Sequence, residues 1–310
     1  MCHNLPMGES MKIFITGGTG FVGTGLTRRL LDRGHEVTVV SSSGKSHLKN
    51  SISTFHNLQA DTTEKGSWQE SLGSYDVIIN LAGRSIFNYW SDSYKKKIYN
   101  SRVKTTQNVV DALPAQTSAI LLSASAVGYY GDSGDAEQDE SGAPGSDYLA
   151  KVGVDWETEA FHAREKGARV AVMRFGIVLG EGGGAIETMK TPFKLGMGGP
   201  IGDGSQYFSW IHIEDLIEAI LFLMDSSALE GPFNCTAPEP VRQKDFAKEL
   251  GSVLHRPAIL PAPSFVLKTF GGDFGEMLLQ GQKVVPKALL DHGFTFRYPK
   301  IKQALEAIFS

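Results

Sequence analysis

Cysteine is almost absent. Cys2 and Cys235 are the only two, too few and too far apart for a zinc centre or a disulfide framework, which fits a reducing compartment. No metal site is expected. Excess positive charge is missing as well: 30 Lys and Arg against 34 Asp and Glu leave a net charge of −4, so no basic field exists to hold a nucleic-acid backbone or an anionic membrane. Long apolar runs are lacking, since the strongest, residues 217–224, falls far short of the roughly 20 needed to cross a bilayer. Residues 1–10 (MCHNLPMGES) carry no apolar signal core and read as a disordered leader outside the fold. Together these absences predict a cytoplasmic protein with neither nucleic acid nor membrane as partner.

Glycine is what the chain has in excess, 35 in 310 residues against a usual ~7%. With no collagen-like period, those glycines must make turns or let backbone approach a ligand. A content of 41% hydrophobic and 21% charged residues describes a globular chain with room for one large domain or two modest ones.

From Met11 the sequence runs KIFIT, GGTGFVG, an amphipathic stretch to Asp32, and HEVTVV. That is strand, glycine turn, helix, strand, a βαβ unit. Further strands are predicted at 57–59, 76–81, 119–123, 169–175 and 231–235, and helices at 94–113, 147–164 and 213–224. Buried strand runs alternating with helices predict an α/β fold, a doubly wound parallel sheet of the Rossmann type. After residue 179 a glycine-rich segment intervenes, and from 238 proline and short helices replace the rhythm. The predicted organisation is an NAD(P)-binding domain over 11–235, with 179–210 contributing to the substrate cleft, and a smaller C-terminal substrate domain over 236–310.

Gly17, Gly20 and Gly23 follow a strand and open a helix. Such glycines let the chain turn, approach a pyrophosphate and pack helix on strand, with the anion at the helix N-terminus. Thr19, Phe21 and Val22 belong to the same cofactor turn. The second strand ends in Ser41, Ser42, Ser43, Gly44 and Lys45, where a cofactor without a 2′-phosphate would usually meet an acidic residue. No carboxylate stands there. The small hydroxyls of Ser42 and Ser43, with Lys45 and Lys49, favour NADP, with NAD as the alternative. Asp61 is placed either at the adenine or as a helix cap.

The order of TGGTGFVG, NLAG (80–83), SASAVGYYG (123–131) and WIHIEDL (210–216) resembles the extended short-chain dehydrogenase/reductase superfamily. NSRVKTTQNVVDAL, RFGIVLGEGGGAI and LLQGQKVVPKALLDHGF bring it closer to the subgroup called epimerase family proteins, related to NAD-dependent epimerases and dehydratases. The resemblance implies a Rossmann domain with a family-specific C-terminal domain and a nicotinamide dinucleotide. It also implies that Leu81, Ala82 and Gly83 run beside the cofactor, with Ser123 at the strand end facing nicotinamide. Relatives pair through helices like 94–113 and 147–164, so a homodimer is possible on the same ground.

Active relatives carry a Tyr and, four residues later, a Lys on one helix, opposite a Ser or Thr. The Lys lowers the phenol pKa, the Tyr exchanges a proton with the substrate oxygen, and the Ser orients it. Here the segment reads Tyr148, Leu149, Ala150, Lys151, Val152, with the lysine one residue early. Three readings stand: Tyr148 with Lys151 as a displaced pair, Tyr148 with another partner, and Tyr148 as a structural residue. Ser125 is the candidate substrate-orienting hydroxyl, at a strand's carboxyl end. Tyr129 and Tyr130 either face the cleft or pack their loop. Arg174, in an otherwise apolar strand, calls for a carboxylate partner, with Asp215 as the inviting one, or for an anionic substrate such as a phosphate. His212 is read as structural, Arg102 as a residue that can reach the substrate side, and the glycine runs 182–184 and 196–204 as a phosphate wrap or a mobile lid.

Two functions compete on these residues. One is an NADP-dependent oxidoreductase or epimerase acting on a hydroxyl-bearing small molecule, a nucleotide sugar being one candidate. The other is a dinucleotide-binding sensor or partner protein that has lost the proton relay.

Overall fold

The computed structural model describes residues 10–46 and 53–310. Lys49, Cys2 and the predicted leader apart from Ser10 lie outside them. In chain order the first half forms β1 (Lys12–Thr16), α1 (Phe21–Asp32), β2 (Glu36–Ser41), β3 (Phe55–Gln59), β4 (Val77–Asn80), α2 (Asp92–Tyr99), α3 (Thr105–Ala112), β5 (Ile120–Ala126), β6 (Glu137–Gln138) and α4 (Tyr148–Phe161). There follow β7 (Arg169–Phe175), β8 (Ile177–Leu179), α5 (Gly184–Lys194), β9 (Tyr207–Phe208), β10 (Trp210–His212), α6 (Ile213–Asp225) and β11 (Gly231–Cys235). The last stretch gives β12 (Val241–Arg242), α7 (Gln243–Val253), α8 (Ser264–Met277), β13 (Lys283–Val284), α9 (Lys287–Asp291) and α10 (Ile301–Phe309).

Seven strands form one sheet in the order β11-β7-β5-β4-β1-β2-β3, every neighbouring pair parallel. Burial runs continuously rather than alternating along β1, β2, β4, β5 and β7, and the four residues of β4 are all buried. Both faces must therefore be covered. Ile13 and Ile15 face the side closed by Leu26 and Leu30 of α1 and Ile217 and Ile220 of α6. Phe14 faces the opposite side, with Val109 of α3 and Ala160 of α4. Each such side chain stabilises the fold by roughly 2 kcal/mol on burial, and α1 meets α6 so closely that a Cβ on Gly25 would lie 2.8 Å from Ile217 Cδ1.

Strand order reverses beside β1, with β2 on one side and β4 on the other, and this switch point is where open α/β sheets bind ligands. Register then aligns a row of polar residues at the carboxyl edge: Thr16 opposite Asn80, Asn80 opposite Ser123, Ser125 opposite Arg174, and Arg174 opposite Asn234.

The helix predicted over 94–113 is interrupted. A π-helical turn at Asn100–Lys104 separates α2 from α3. Thr106 Oγ1 donates to the Arg102 carbonyl at 2.8 Å, a side-chain bond that competes with the regular backbone ladder. A third core joins Leu179, Ile186 and Trp210 to Phe246, Leu250 and Leu305, so residues 179–210 share packing with the C-terminal helices. The short pair β6–β13 ties the end of the chain back to the loop after β5.

Candidate active site

β1 delivers the chain to Gly17, whose φ is +71°. A Cβ there would be strained and would sit 2.9 Å from the Leu81 carbonyl, so only glycine lets the two loops touch. The Gly17 N–H donates to Val40 O and the Gly20 N–H to Gly17 O, each at 3.0 Å. At Gly23 a Cβ would lie 2.4 Å from Gly17 O. The helix that follows has Gly20 as its N-cap, no side-chain capping bond and no acidic residue in its first turn. Its first N–H groups thus face the cleft at the positive end of the helix dipole.

A cavity of about 480 Å³ opens from this turn, lined by Gly17, Thr19, Gly20, Ser42, Ser43 and Asp61 among others. Ser41 also lines it, and its buried hydroxyl has no partner among the described residues. An uncapped helix start, a glycine cradle and an orphan hydroxyl at the end of β2 fit the pyrophosphate and ribose of a dinucleotide. Asp61 Oδ1 accepts from the Thr63 N–H at 3.0 Å and the Thr63 hydroxyl at 2.7 Å, making a local turn on the cavity wall. Lys45 is exposed and off that wall. Its backbone N–H donates to Ser43 Oγ at 3.3 Å.

Leu81, Ala82 and Gly83 form the next stretch of wall. Thr16 Oγ1 donates to Asn80 Oδ1 at 2.6 Å and accepts from the Ala82 N–H at 3.2 Å, while Asn80 Nδ2 donates to Thr106 Oγ1 at 2.7 Å. These buried bonds fix the segment from behind. Ser123 belongs to this support and not to the wall: it is fully buried and accepts from Asn80 Nδ2 at 3.3 Å. The expectation that it faces nicotinamide is therefore corrected, because its register places it opposite Asn80, beneath the surface.

The cleft continues into a second cavity of about 590 Å³ that shares Gly17, Gly20, Leu81, Gly83 and Arg84 with the first. Phe21, Val22, Gly23 and Ser125 line it, and α4 contributes Leu149, Val152, Gly153 and Trp156. Tyr148 and Lys151 are absent from that wall. The helix turns Leu149, Val152 and Trp156 inward at spacings of three and four, which leaves position 148 about 100° away from position 149. The Tyr148 hydroxyl instead donates to the Lys95 carbonyl at 2.6 Å, and its ring packs edge-on against Trp90. Burial raises its pKa, the reverse of what a proton-exchanging phenol needs. Lys151 is exposed. The structure does not bring the two together with Ser125.

Ser125 does reach the cleft, and its proton is already committed. Its hydroxyl donates to Glu157 Oε1 at 2.7 Å. Glu157 in turn receives Arg174 through two bonds of 2.8 Å, Nε to Oε1 and Nη2 to Oε2. Burial alone would depress the Arg174 pKa, but the Glu157 carboxylate outweighs it and holds the guanidinium above its ordinary value. Glu157, not Asp215, is the arginine's partner. Asp215 accepts the backbone N–H groups of Arg297 and Tyr298 at 2.7 and 2.9 Å, so it fastens the C-terminal segment.

Arg174 also donates to the Tyr130 hydroxyl at 2.8 Å, and that hydroxyl reaches Asn234 Oδ1 at 2.7 Å. Burial pushes the Tyr130 phenol up to about 12, and Tyr130 stays behind the wall. Tyr129 lies on the wall with its ring 3.7 Å from the Arg174 guanidinium carbon. His212 caps α6 by accepting the Glu214 N–H at Nδ1. Burial pulls its pKa down to about 4, which keeps it a neutral structural acceptor.

Arg102 emerges from the π turn onto the cleft wall. Nη1 donates to Arg84 O at 3.0 Å and Ile98 O at 3.2 Å, and the guanidinium carbon lies 5.4 Å from the Trp156 ring centroid. Burial lowers its pKa to about 10, so it stays charged at neutral pH. Among the described residues it has no carboxylate partner, and the buried Trp156 indole N–H beside it has no acceptor.

Four glycines of the two runs sit against neighbouring rings and backbone. A Cβ on Gly183 would lie 2.4 Å from the Phe21 ring and one on Gly184 2.9 Å from it, so the segment after β8 lies flat on Phe21. Gly198 is similarly pressed on the Phe193 ring and Gly199 on the Leu260 backbone. Sequence reasoning missed Glu157 and the asparagine lock at Asn80. The available signal was a carboxylate next to Trp156 on the apolar stripe of α4, facing an arginine that needed a partner.

The sequence profile of the NAD dependent epimerase/dehydratase family matches residues 13–235, and a domain of unknown function (DUF1731) matches residues 262–308. An Arabidopsis thaliana protein named "Epimerase family protein SDR39U1 homolog, chloroplastic" is 40% identical over 304 residues, covering 97% of this chain and 87% of that one. A crystal structure of the human epimerase family protein SDR39U1 (isoform2) with NADPH superposes with a TM-score of 0.83 at 36% identity, over 96% of this chain and 99% of the other. A nucleoside-diphosphate sugar epimerase from Corynebacterium glutamicum is similar with a TM-score of 0.76 at 31% identity, over 97% of this chain and 58% of that one.

Proposed function

The chain belongs to the NAD dependent epimerase/dehydratase family, and from that premise we propose that it binds NADP and acts as an oxidoreductase or epimerase on a hydroxyl-bearing small molecule. The observation that carries this reading is the unbroken cleft from the uncapped start of α1, past Gly83, to the Ser125 hydroxyl. Ser42 and Ser43 at the end of β2, with no carboxylate among residues 41–45, support a 2′-phosphate over a bare ribose. The NADPH of the human relative points the same way. Bound nicotinamide supplies or accepts a hydride. Arg102 provides a fixed positive charge beside Gly83.

Ser125 is the orienting hydroxyl. Because its proton points at Glu157, it offers lone pairs to a substrate O–H. On oxidation that substrate proton passes to Ser125 Oγ as the serine's own proton moves to Glu157 Oε1. An epimerase would return hydride and proton to the other face, whereas an oxidoreductase would release a ketone and reduced cofactor. The Corynebacterium relative's name makes a nucleotide sugar one candidate substrate.

A second reading is favoured by one observation, the hydrophobic α4 wall in place of a Tyr–Lys pair: the protein is a dinucleotide sensor. Titration of NADPH and NADH by fluorescence, followed by single-turnover absorbance with a panel of alcohols and ketones, separates the two. Conversion lost in Ser125→Ala supports the enzyme. Tight NADPH binding without conversion supports the sensor, and no binding of either nucleotide sinks both. A cytoplasmic setting and a homodimer through the side of α2, α3 and α4 belong to the same proposal, the latter tested by sedimentation velocity.

A further inference from the structure

We infer that the substrate half of this cleft takes an uncharged, largely apolar alcohol or ketone, and not a nucleotide sugar. The inference rests on the hydride-transfer reading above. A nucleotide sugar carries a diphosphate, and taking that charge out of water requires paired cations or many donors.

Beyond the cofactor turn, the wall is built from Phe87, Met189, Ile201, Phe208, Met277 and Leu278. The charged residues on this cavity are Arg84, Arg102 and Asp147. Both arginines stand beside Gly83, at the cofactor end. Arg102 Nη2 is 3.5 Å from where a Gly83 Cβ would be, and Arg84 is its chain neighbour. Asp147 is an anion whose Oδ1 already caps α4 by accepting the Ala150 N–H, and it would repel a phosphate.

Arg242, Lys283 and Lys95 are each paired with a carboxylate. Arg242, stacked on Tyr207, pairs with Asp135 at 2.8 Å, and Lys283 pairs with Glu137 at 3.0 Å. Lys95 pairs with Asp273. Two of the four wall amides bond the backbone at one end: Gln206 Nε2 donates to Ile201 O and Leu278 O, and Gln243 Oε1 accepts the Ile201 N–H. Gln280 and Gln282 remain on the wall as neutral partners for one polar end of a ligand. Apolar walls with a few amides are what a neutral carbonyl compound with a hydrocarbon body requires.

The test uses the full chain saturated with NADP⁺, a state in which a ketone binds without turnover. Ligand-observed saturation-transfer NMR is run with benzylacetone, cyclohexanone and menthone, and separately with UDP-glucose and UDP. The expected result is a saturable signal from at least one ketone and none from the two nucleotides. Met277→Lys should weaken the bound ketone by about fivefold while the NADPH affinity, read by fluorescence on the same samples, stays within twofold. Saturable UDP-glucose binding, silence from all three ketones, or a ketone signal indifferent to Met277→Lys would each overturn the inference. Loss of NADPH binding in the unmodified chain would instead sink the reading on which it stands.

Discussion

The two ends of the cleft are made of different material. At the adenosine end the ligand-facing groups are mostly backbone and small hydroxyls, set by Gly17, Gly20 and Gly23 at fixed spacing within one βαβ unit. At the hydride end the important groups are side chains gathered from distant segments: Ser125, Glu157 and Arg174 meet only because β5, α4 and β7 pack together. A site made of backbone tolerates little change in its glycines and depends little on surrounding charge. A site made of side chains stores its energy in buried ion pairs and is vulnerable there.

The largest effect should appear at the side-chain end. Glu157→Leu strands the Arg174 guanidinium, which is 3% exposed, and breaking such a buried pair costs about 3–5 kcal/mol. Urea unfolding of the variant should show that loss. The double variant Glu157→Leu/Arg174→Met should recover most of it, since replacing both ions removes the uncompensated charge. A single variant as stable as the parent would show that the ion pair is not the keystone claimed.

At the backbone end, Gly17→Ala should leave most of the stability intact and damage binding. Its Cβ would press on the Leu81 carbonyl at 2.9 Å in a left-handed conformation, forcing the two loops apart where the diphosphate would sit. NADPH affinity should fall by about a hundredfold, near 2.7 kcal/mol, in a fluorescence titration on protein whose circular dichroism is unchanged. An affinity within threefold of the parent would mean that the glycine turn does not touch the cofactor.

These two variants also explain what could be read from the chain alone. The doubly wound sheet and the cofactor turn were legible because glycine has a conformational meaning that does not depend on distant contacts. The bounds predicted for strands 169–175 and 231–235 also coincide with those of β7 and β11. The hydride end was not legible in that way. Shifting the inward face of α4 by one residue puts Leu149 and not Tyr148 on the wall, and the one signal for the Arg174 partner was a carboxylate on the apolar stripe of α4, Glu157, seventeen positions earlier. Arg102 could be suspected, but the π turn that aims it depends on Thr106 bonding back to its carbonyl.

Arg102 sits where the two kinds of site meet, so its removal should give an intermediate effect. Arg102→Gln keeps donors but deletes the charge, and NADPH affinity should drop about tenfold, or 1.4 kcal/mol. Part of the salt dependence of binding should vanish with it, because an exposed cofactor phosphate no longer meets that cation. Titration at low and high ionic strength reads both quantities. Equal salt dependence in the two proteins would place Arg102 out of contact with any anion.

The smallest effect is expected where the family pattern would put the largest. Tyr148 donates its hydroxyl to the Lys95 carbonyl, packs on Trp90 and lies off the cleft wall. Tyr148→Phe therefore removes one ordinary hydrogen bond, worth about 1 kcal/mol of stability. It should leave the single-turnover hydride-transfer rate within twofold for any substrate the protein converts. Lys151→Ala, at an exposed position, should do still less. If Tyr148→Phe abolished conversion while NADPH affinity held, α4 would have to rotate in the working complex to bring the phenol inward, and the contrast between a backbone-built end and a side-chain end built without Tyr148 would fail at the hydride end.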